Sequence, residues 1–279
     1  MNDRGATVTL PNSARDTGAQ LRSLYAAEGG VRAIFSSKVA DYAASRPDYP
    51  AALFDALRDH AGLRPGACVA DVGAGTGLLT QGLLRRGATV IAVEPNPAMR
   101  AAADHFLGTD AAYRSVEGSA EALPLADGSV DLVTAAHAFH WFEIDAARAE
   151  CQRVLRAGST VALIWNDRLK GDPLHDALDE LFSGFGGPKR TALVAHEDRA
   201  GVPRFFGATR PLEFTWPHTH HLDASALASL VFSRSYMPPR DDADGREAER
   251  RVLQLFERFG AHGRVAVRYT TVAMIGVPA

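Results

Sequence analysis

The sequence predicts an α/β fold: a mostly parallel β-sheet with helices packed on both of its faces. Short apolar runs alternate with helix-length segments from Ala67 to Trp165, which is the pattern of strands that are covered on both sides. A glycine-rich turn joins the first of these runs to the segment that follows it. The chain has 279 residues, of which 46% are hydrophobic, so it is long and apolar enough to bury a large core.

Between Ala67 and Trp165, five apolar runs predict strands of the sheet. They are Ala67–Val72, Ala88–Val93, Tyr113–Val116, Val130–Ala136 and Thr160–Trp165. Apolar spacings of three and four residues predict the helices between them. The first helix is Thr76–Arg86, which ends before Gly87, and the second is Pro97–His105, with proline in its first turn. The third helix begins after its cap, Asp145, and ends at Gly158. Its predicted buried residues are Ala147, Cys151, Val154 and Leu155.

The two ends of the chain have different patterns. Residues 1–20 show no hydrophobic period and predict a mobile tail. Helices are predicted at Leu21–Ala44 and Ala51–His60, separated by Arg46–Pro50, where prolines stop the first helix. After Asn166 the predicted elements are a helix Gly171–Phe185 that glycines and Pro188 interrupt, a strand Leu212–His220, helices Asp223–Ser235 and Arg246–Phe259, and a final strand Arg264–Val277.

Composition argues against several classes of partner. The net charge of −3 gives no general attraction to nucleic acid or to an anionic membrane. No apolar run is long enough to span a bilayer, and the first residues lack the apolar segment of a signal peptide. The two cysteines, Cys68 and Cys151, are too few for a disulfide framework. The sequence therefore predicts a cytoplasmic protein with reduced cysteines.

A glycine-rich turn within Val69–Gly77 is the clearest candidate for a binding site. Its glycines, Gly73, Gly75 and Gly77, allow a sharp turn and the close approach of a ligand to the main chain. Glu94 follows Gly73 by 21 residues, at the end of the next strand. In this architecture an acidic residue there binds the hydroxyls of a ribose, so the turn predicts a nucleoside ligand. A purely structural tight turn is the alternative.

Two classes of nucleoside ligand have to be distinguished. A dinucleotide requires the spacing G-x-G-x-x-G, but Leu78 occupies the last position and the third glycine comes one residue early. Asp71 precedes the turn, and its carboxylate would repel a pyrophosphate but attract an ammonium or sulfonium group. The turn therefore favours S-adenosylmethionine, a cationic nucleoside without phosphates, over a dinucleotide.

Val69–Gly77 resembles motif I of the class I S-adenosylmethionine-dependent methyltransferases, and four further segments are similar to this family. Glu94–Met99 resembles the acidic loop of the family's second strand, and Gly118–Pro124 resembles its adenine-binding segment. Val130–Phe142 resembles its fourth-strand motif. Tyr42–Pro50 resembles the helical lid of the trans-aconitate-methyltransferase-like and ubiquinone/menaquinone-methyltransferase-like group. The resemblance covers about residues 35–166 and implies S-adenosylmethionine as the cofactor.

The resemblance also implies the organisation of the chain. It predicts a Rossmann-like sheet of seven strands, mostly parallel, in a methyltransferase domain at residues 63–279. A helical lid would precede this domain at residues 21–62, and helical insertions on the substrate side would occupy about residues 167–262. Exchange of the Leu21–Ala44 helix between subunits would make a homo-oligomer, which is one possible assembly.

Cofactor-binding roles follow from the same resemblance. Gly73, Gly75 and Gly77 would line the methionine moiety, with Asp71 at its ammonium group and Glu94 on the ribose. The other implied contacts are Tyr42 and Arg46 over the carboxylate, Met99 beside the adenine, Ser119 and Ala120 at the adenine edge, and Ala74, Pro95, Glu121, Ala136 and His137 elsewhere in the site. The alternative to a cofactor-binding role is a solvated helix end for Arg46 and a place in the ordinary helix core for Met99.

Two histidines follow the fourth predicted strand, where the transferred methyl group should face its acceptor. His140 is the candidate general base, and His137 either shares this role or packs over the cofactor. For His140, a role in lining the pocket is the alternative. Candidate substrate contacts are Phe35, Trp141, Trp165 and Tyr236, and the run Arg234–Pro239 is a candidate wall of the cavity.

A second group of histidines, His218, His220 and His221, raises the question of a metal. His218 and His220 share one face of a predicted strand, but only Asp223 lies close enough in sequence to add a further ligand. The sequence therefore predicts no metal, and these histidines are interpreted as pocket lining or exposed strand.

The predicted function is S-adenosylmethionine-dependent methyl transfer to a small-molecule acceptor, such as a secondary metabolite. Methylation of nucleic acid is disfavoured because the chain has no basic patch, no D/N-P-P-Y/F motif and no Pro-Cys nucleophile after the fourth strand. A nucleotide-dependent oxidoreductase is disfavoured by Leu78 and Asp71. A protein methyltransferase and a non-catalytic binding module of the same fold stay open as alternatives.

Overall fold

The computed structural model describes residues 38–43, 45–196, 199 and 201–279. The predicted tail at residues 1–20, the candidate contact Phe35 and most of the predicted helix Leu21–Ala44 lie outside the described residues. The described end of this helix, residues 38–43 and 45, is helical, and the chain leaves the helix at Arg46. This agrees with the predicted stop, since the residue before a proline avoids the helical conformation.

Seven strands of the described chain form one sheet. In chain order they are β1 (Cys68–Val72), β2 (Thr89–Val93), β3 (Tyr113–Val116), β4 (Val130–Ala136), β5 (Leu155–Arg168), β6 (Leu212–Leu222) and β7 (Val265–Gly276). Their order across the sheet is β3-β2-β1-β4-β5-β7-β6. The first five strands pair in parallel, and β7 lies antiparallel between β5 and β6. The predicted seven-stranded, mostly parallel, Rossmann-like sheet is thus confirmed.

Helices connect the strands and build up the late part of the chain. They are α1 (Ala51–Ala61), α2 (Leu78–Leu84), α3 (Pro97–Leu107), α4 (Ile144–Val154), α5 (Pro173–His196), α6 (Gly201–Phe206), α7 (Ala224–Phe232) and α8 (Ala243–Phe259), with a 3₁₀ turn at Phe139–Trp141. Along the described residues, none of these helices combines the length and the apolar character needed to cross a membrane.

The core lies on both faces of the sheet because successive strand residues point to opposite sides. On one face, Val69 of β1 packs in a cluster with Leu53 of α1 and Leu83 of α2. On the other face, Val133 of β4 packs in a cluster with Cys151 of α4. All of these side chains are almost inaccessible to solvent. Burial on both faces explains why the strands appear in the sequence as nearly continuous apolar runs.

A third apolar cluster lies over β7 and is built by the late helices. Phe182 of α5, Phe232 of α7 and Val252 of α8 pack with Val267 and Tyr269 of β7. These helices belong to the segment for which the sequence predicts substrate-side insertions. The ends of α5 and α7 contribute to the cavity described below, so this cluster positions part of the site.

Two helices differ from the prediction because of glycine conformations. α2 begins at Leu78 rather than Thr76, since Gly77 is left-handed (φ 83°) and occupies the capping position. In α5, Gly187 has non-helical angles (φ 51°, ψ −148°), so the chain kinks there and the helix continues afterwards. The sequence predicts an end near Phe185 instead. The short helix α6 has no counterpart among the predicted elements.

α4 differs from the prediction at both of its ends. Its cap is Glu143 instead of Asp145, and the Glu143 carboxylate accepts hydrogen bonds from N–H groups of the first turn. Leu155 is not part of the helix, because it begins β5 and pairs with Val130. Gly158 therefore lies within a strand, at a left-handed angle (φ 81°), where the pairing register shifts.

Candidate active site

A cavity lies at the carboxyl ends of β1, β2 and β4, where the order of the sheet reverses between β1 and β4. Open parallel sheets bind their ligands at this position. The cavity brings together most of the predicted site. The predicted residues that line it are Tyr42, Arg46, Gly73, Gly75, Glu94, Pro95, Met99, Ser119, Ala120, Glu121, Ala136, His137, His140 and Trp141.

The turn after β1 is held against β2 by backbone hydrogen bonds. The N–H groups of Gly73 and Ala74 both donate to the carbonyl oxygen of Val93. Gly73 has a left-handed angle (φ 70°), and a Cβ added to it would lie 2.5 Å from the Cβ of Ala138. Both the conformation and the space therefore require glycine at this position.

We expect Gly73→Ala to lower the free energy of unfolding by about 1–3 kcal/mol, because alanine is strained at this angle and its methyl group would overlap Ala138. S-adenosylhomocysteine, the demethylated cofactor, should bind at least about tenfold more weakly because the turn has to shift. Chemical denaturation and titration calorimetry measure the two effects. Gly158→Ala is the matched control, since Gly158 has φ 81° but open space at its Cβ position. Equal losses in both variants would contradict the close-packing argument.

The Glu94 side chain extends from the end of β2 to the cavity wall. Its two carboxylate oxygens accept hydrogen bonds from the backbone N–H groups of Gly75 (2.9 Å) and Asn96 (2.8 Å). Each carboxylate oxygen can accept a second bond, so Glu94 keeps acceptor capacity for a pair of hydroxyls. Burial raises the pKa of Glu94 above its ordinary value, and the two N–H donors oppose this shift.

Asp71 occupies a different position from the one that the resemblance implies. It is almost inaccessible, and its oxygens accept hydrogen bonds from the hydroxyls of Thr80 (2.6 Å) and Thr134 (2.8 Å). Burial raises the pKa of this carboxyl. Asp71 is not among the residues that line the cavity, so direct contact with an ammonium group does not fit this geometry. The carboxylate instead joins β1 to α2 and β4 beneath the turn.

The residues implied beside the adenine follow β2 and β3. Asn96 caps α3 by accepting hydrogen bonds at its side-chain oxygen, and the first turn of this helix carries Met99 to the cavity. Ser119 and Ala120 line the cavity from the turn after β3. The Glu121 carboxylate accepts a hydrogen bond from the backbone N–H of the residue that caps α4 (2.9 Å). These contacts hold the segments after β2 and β3 on one side of the cavity.

Tyr42 and Arg46 cover the glycine turn. The Tyr42 ring lies 4.0 Å from the position of a Cβ on Gly75, and the guanidinium of Arg46 stacks on the same ring, 4.4 Å from its centre. Arg46 Nη2 also donates to the carbonyl oxygen of Ser233 (3.4 Å). Burial, with the positive charge of Arg234 as the second cause, lowers the pKa of Arg46. Arg46 is therefore part of the cavity wall rather than a solvated helix end.

Polar contacts join this covering segment to the late part of the chain. Asp41 forms an ion pair with Arg240 (2.6 Å). The carbonyl oxygen of Asp48 accepts a hydrogen bond from Asn166 Nδ2 (3.2 Å), at the end of β5. We define residues 38–50, apart from residue 44, as the cover.

We expect the cover to exchange its amide hydrogens more slowly when S-adenosylhomocysteine is bound, because it then packs on the ligand as well as on the protein. Hydrogen-exchange mass spectrometry of the free and bound protein measures this change. Peptides from α8, which contributes no cavity residue, should exchange equally in both states. Unchanged exchange of the cover would leave Tyr42 and Arg46 with a purely structural role.

The two histidines after β4 differ in their suitability as a base. His137 has a left-handed backbone (φ 53°), and its Nε2 accepts a hydrogen bond from the backbone N–H of Asn166 (2.8 Å). Its proton therefore sits on Nδ1, and burial lowers its pKa well below the ordinary value. His140 is half-buried in the cavity wall, with its ring tilted against Trp141 (5.0 Å between ring centres). The fixed tautomer of His137 argues against this residue as the group that takes a proton.

Some predicted residues do not line the cavity. Besides Asp71, they are Ala74, Gly77, Trp165 and Tyr236, and Phe35 lies outside the described residues. Trp165 packs edge-on against Phe139 in the core (6.3 Å between ring centres). Tyr236 packs in the same manner against Phe182 (5.6 Å). The geometry therefore does not support Trp165 and Tyr236 as substrate contacts.

Other cavity residues carry no signal in the sequence. They are Ala138, Leu193 and Ser233. Leu193 lies beyond the kink in α5 and Ser233 follows α7, so both reach the site only through the packing of the late helices. Arg234 and Ser235 also line the cavity, as expected for the start of the candidate wall.

The histidines of β6 form no metal site in the part of the chain that the structure describes, where no three potential ligand side chains cluster suitably. His218 Nε2 lies 3.1 Å from a carboxylate oxygen of Asp48. His220 contacts the backbone of Ser45, and burial lowers its pKa. These two histidines therefore pack β6 against the cover.

Comparison with known proteins places the same segments in one family. A family model described as a methyltransferase domain matches residues 70–163, from β1 into β5. The uncharacterized methyltransferase Rv3342 of Mycobacterium tuberculosis is 36% identical over 249 residues, which cover 86% of this chain and 93% of the relative. The uncharacterized methyltransferase-like protein C25B8.10 of Schizosaccharomyces pombe is 38% identical over 244 residues, with the same coverage of 86% and 93%.

The fold has counterparts among solved structures. One is a structure from Anaeromyxobacter dehalogenans that is assigned to the type II methyltransferases. It aligns with a TM-score of 0.59 at 24% identity, and the alignment covers 84% of this chain and 99% of the Anaeromyxobacter chain. This likeness supports the fold, whereas the relatives that match over most of their length carry the family assignment. The glycine turn and the buried Glu94 carboxylate at the switch point of the sheet fit the nucleoside of S-adenosylmethionine. The chain therefore belongs to the class I S-adenosylmethionine-dependent methyltransferases.

Proposed function

We propose that this enzyme methylates a small molecule. The observation that carries the proposal is the lining of the cavity on two sides by the chain itself: Tyr42 and Arg46 line it from the cover, and Leu193 and residues 233–235 line it from the late helices. A concave cavity of this kind suits a small ligand better than a duplex or a folded protein. The net charge of −3 also provides no attraction to nucleic acid.

When bound, S-adenosylmethionine supplies a methyl group that its sulfonium already activates. The chain's own residues then need mainly to bind, align and exclude water. Glu94 would accept hydrogen bonds from the ribose hydroxyls, and Arg46 would donate to the ligand carboxylate. Gly73 and Gly75 would let the ligand approach the main chain, and the Trp141 ring would exclude water beside the acceptor.

We propose His140 as the residue that takes a proton from the acceptor. A hydroxyl or amine acceptor must lose a proton once its lone pair has formed the bond to the methyl carbon. His140 lies in the cavity wall just after β4, and the Nε2 atom of His137 accepts a hydrogen bond from a backbone N–H. This placement supports His140 as a general base.

The reaction would take place in the cytoplasm. Cys68 and Cys151 are free thiols, and burial raises the pKa of the Cys151 thiol to about 12. Two unpaired thiols suit a reducing compartment, and cell fractionation tests this placement.

The acceptor class is tested with S-adenosylmethionine that carries a tritiated methyl group. The purified enzyme is offered a metabolite extract and, separately, the protein and nucleic acid of the same cells. We expect label in the metabolite fraction, with a reaction that contains no enzyme as the blank. Label confined to protein or nucleic acid would contradict the proposal. If the protein binds S-adenosylhomocysteine but labels no fraction, this result would favour a non-catalytic binding module.

A further inference from the structure

Arg240 links the cover to the late helices. It lies in the loop between α7 and α8, and its Nη2 atom donates a hydrogen bond to the carboxylate of Asp41 (2.6 Å). The two residues are 199 positions apart in sequence. Neither belongs to the described residues that line the cavity, so this ion pair can act on a ligand only through the parts of the chain that it joins.

The late helices hold the Arg240 side chain in place. Nη2 also donates to Oγ of Ser229 on α7 (3.2 Å), and Nη1 donates to the carboxylate of Glu249 on α8 (2.6 Å). The guanidinium lies over the Phe232 ring, 4.5 Å from its centre. An arginine fixed in this way loses little further conformational freedom when it binds a carboxylate. Arg240 therefore offers Asp41 a preformed partner, and the pair should be stronger than an isolated ion pair at the surface.

One face of the helical end of the cover makes these attachments. Lys38 and Asp41 are three residues apart, so they lie on the same side of the helix. Lys38 is buried, and its Nζ atom donates to the carbonyl oxygen of Met237 (3.1 Å), in the same loop as Arg240. The cover is thus attached to the loop between α7 and α8 at two points about one helical turn apart.

The neighbouring face of the same segment contacts the cavity. Tyr42 directly follows Asp41, and Arg46 is four residues further on, so the two side chains lie on one side of the segment. Both line the cavity, and the backbone N–H of Arg46 donates to the carbonyl oxygen of Tyr42 (3.3 Å). Tyr42 and Arg46 would therefore move together if Asp41 were displaced.

We propose that Arg240 is a positioning residue for the cofactor: through Asp41 it holds Tyr42 and Arg46 against bound S-adenosylmethionine. Because the pair orders the cover before the ligand arrives, binding does not have to order it, and this strengthens binding. The inference rests on the contact proposed above between Arg46 and the ligand carboxylate. It does not depend on which acceptor the enzyme methylates.

Titration calorimetry of the full chain with S-adenosylhomocysteine tests the inference. We expect Arg240→Gln and Asp41→Asn each to weaken binding about three- to tenfold, because each breaks the pair. Arg240→Lys keeps the charge and should bind within about twofold of the wild type. The double variant should bind no more weakly than the weaker single variant, since its second substitution removes a partner of a pair that is already broken.

Arg251→Gln is the matched control. Like Arg240, Arg251 combines an ion pair, with Glu247 (2.8 Å), and a contact with an aromatic ring, that of Phe185 (5.3 Å). These partners lie on α8 and α5 rather than on the cover, so the variant should bind S-adenosylhomocysteine as the wild type does. Amide exchange of the cover in the free protein should be faster in Arg240→Gln than in Arg251→Gln. Thermal denaturation checks that each variant folds, and Asp41→Asn provides the test where Arg240→Gln does not.

Arg46→Gln separates failure of this inference from failure of the contact on which it rests. If Arg46→Gln binds S-adenosylhomocysteine more weakly than the wild type but Arg240→Gln does not, the contact is upheld and the inference is overturned. If neither substitution changes binding, the proposed contact of Arg46 fails and the inference fails with it.

Two further results would overturn the inference. Losses in the single variants that add up in the double variant would show that Arg240 and Asp41 act independently. A loss in Arg251→Gln equal to that in Arg240→Gln would show that Arg240 acts only through general stability. The tritium experiment reports on the acceptor class separately from all of these results.

Discussion

Replacing His140 by alanine should lower turnover by about 10²–10⁴-fold while changing the affinity for S-adenosylhomocysteine by less than about threefold. The side chain lies in the cavity wall after β4, where a ring nitrogen can take the proton that a hydroxyl or amine acceptor releases. The substitution removes this base but leaves Glu94 and the glycine turn in place. Turnover with a labelled metabolite and calorimetry with S-adenosylhomocysteine measure the two quantities.

The pH dependence separates a base from a residue that only lines the pocket. Turnover by the wild-type enzyme should fall on the acid side, because a protonated imidazole cannot accept a proton, and this fall should disappear in His140→Ala. His105→Ala is the matched control, since His105 is exposed on α3 and should leave turnover unchanged. A small loss with an unchanged pH profile would make His140 a pocket lining. Loss of cofactor binding would place it in the S-adenosylmethionine site.

Glu94→Ala should weaken binding of S-adenosylmethionine and S-adenosylhomocysteine by at least about tenfold. The expected loss is about 1.5–3 kcal/mol, the contribution of hydrogen bonds to a charged group, because the ribose hydroxyls lose their acceptor. The variant also releases the N–H groups of Gly75 and Asn96, which now donate to this carboxylate. Titration calorimetry with both nucleosides measures the loss.

Two comparisons isolate the contribution of the Glu94 charge. Glu117→Ala removes a carboxylate that pairs with Arg100 outside the cavity, and it should change affinity little. Burial raises the pKa of Glu94, so affinity of the wild-type enzyme should decline as the pH falls through this raised value, since the protonated carboxyl is a poorer acceptor. Glu94→Gln should not show this decline. Unchanged affinity in Glu94→Ala would contradict its assignment to the ribose.

Local sequence determined the cofactor half of the site. Gly73 and Glu94 each follow a strand, and the carboxyl ends of parallel strands meet at one edge of the sheet. A residue placed directly after a strand therefore has a position that the strand order nearly dictates. The same reasoning placed His140 after β4, and the family resemblance implied Ser119 after β3; all four residues line one cavity.

The tertiary structure alone decided which polar groups face the cavity. Asp71 stands next to the turn in sequence, yet Thr80 and Thr134 engage its carboxylate beneath it. A strand position predicts the face of the sheet but not the partners that neighbouring elements supply.

The cavity end that we propose for the acceptor also depended on tertiary structure. Leu193 and Ser233 reach the cavity because the late helices pack over β7, and Arg46 donates a hydrogen bond to Ser233, which lies 187 residues further along the chain. Such contacts arise from the packing of side chains between elements that are distant in sequence, and no local spacing encodes them. The sequence by itself therefore determined the fold and the edge of the sheet that carries the cavity, whereas only the packing of the late helices and the cover decided the shape of the cavity end that we propose for the acceptor.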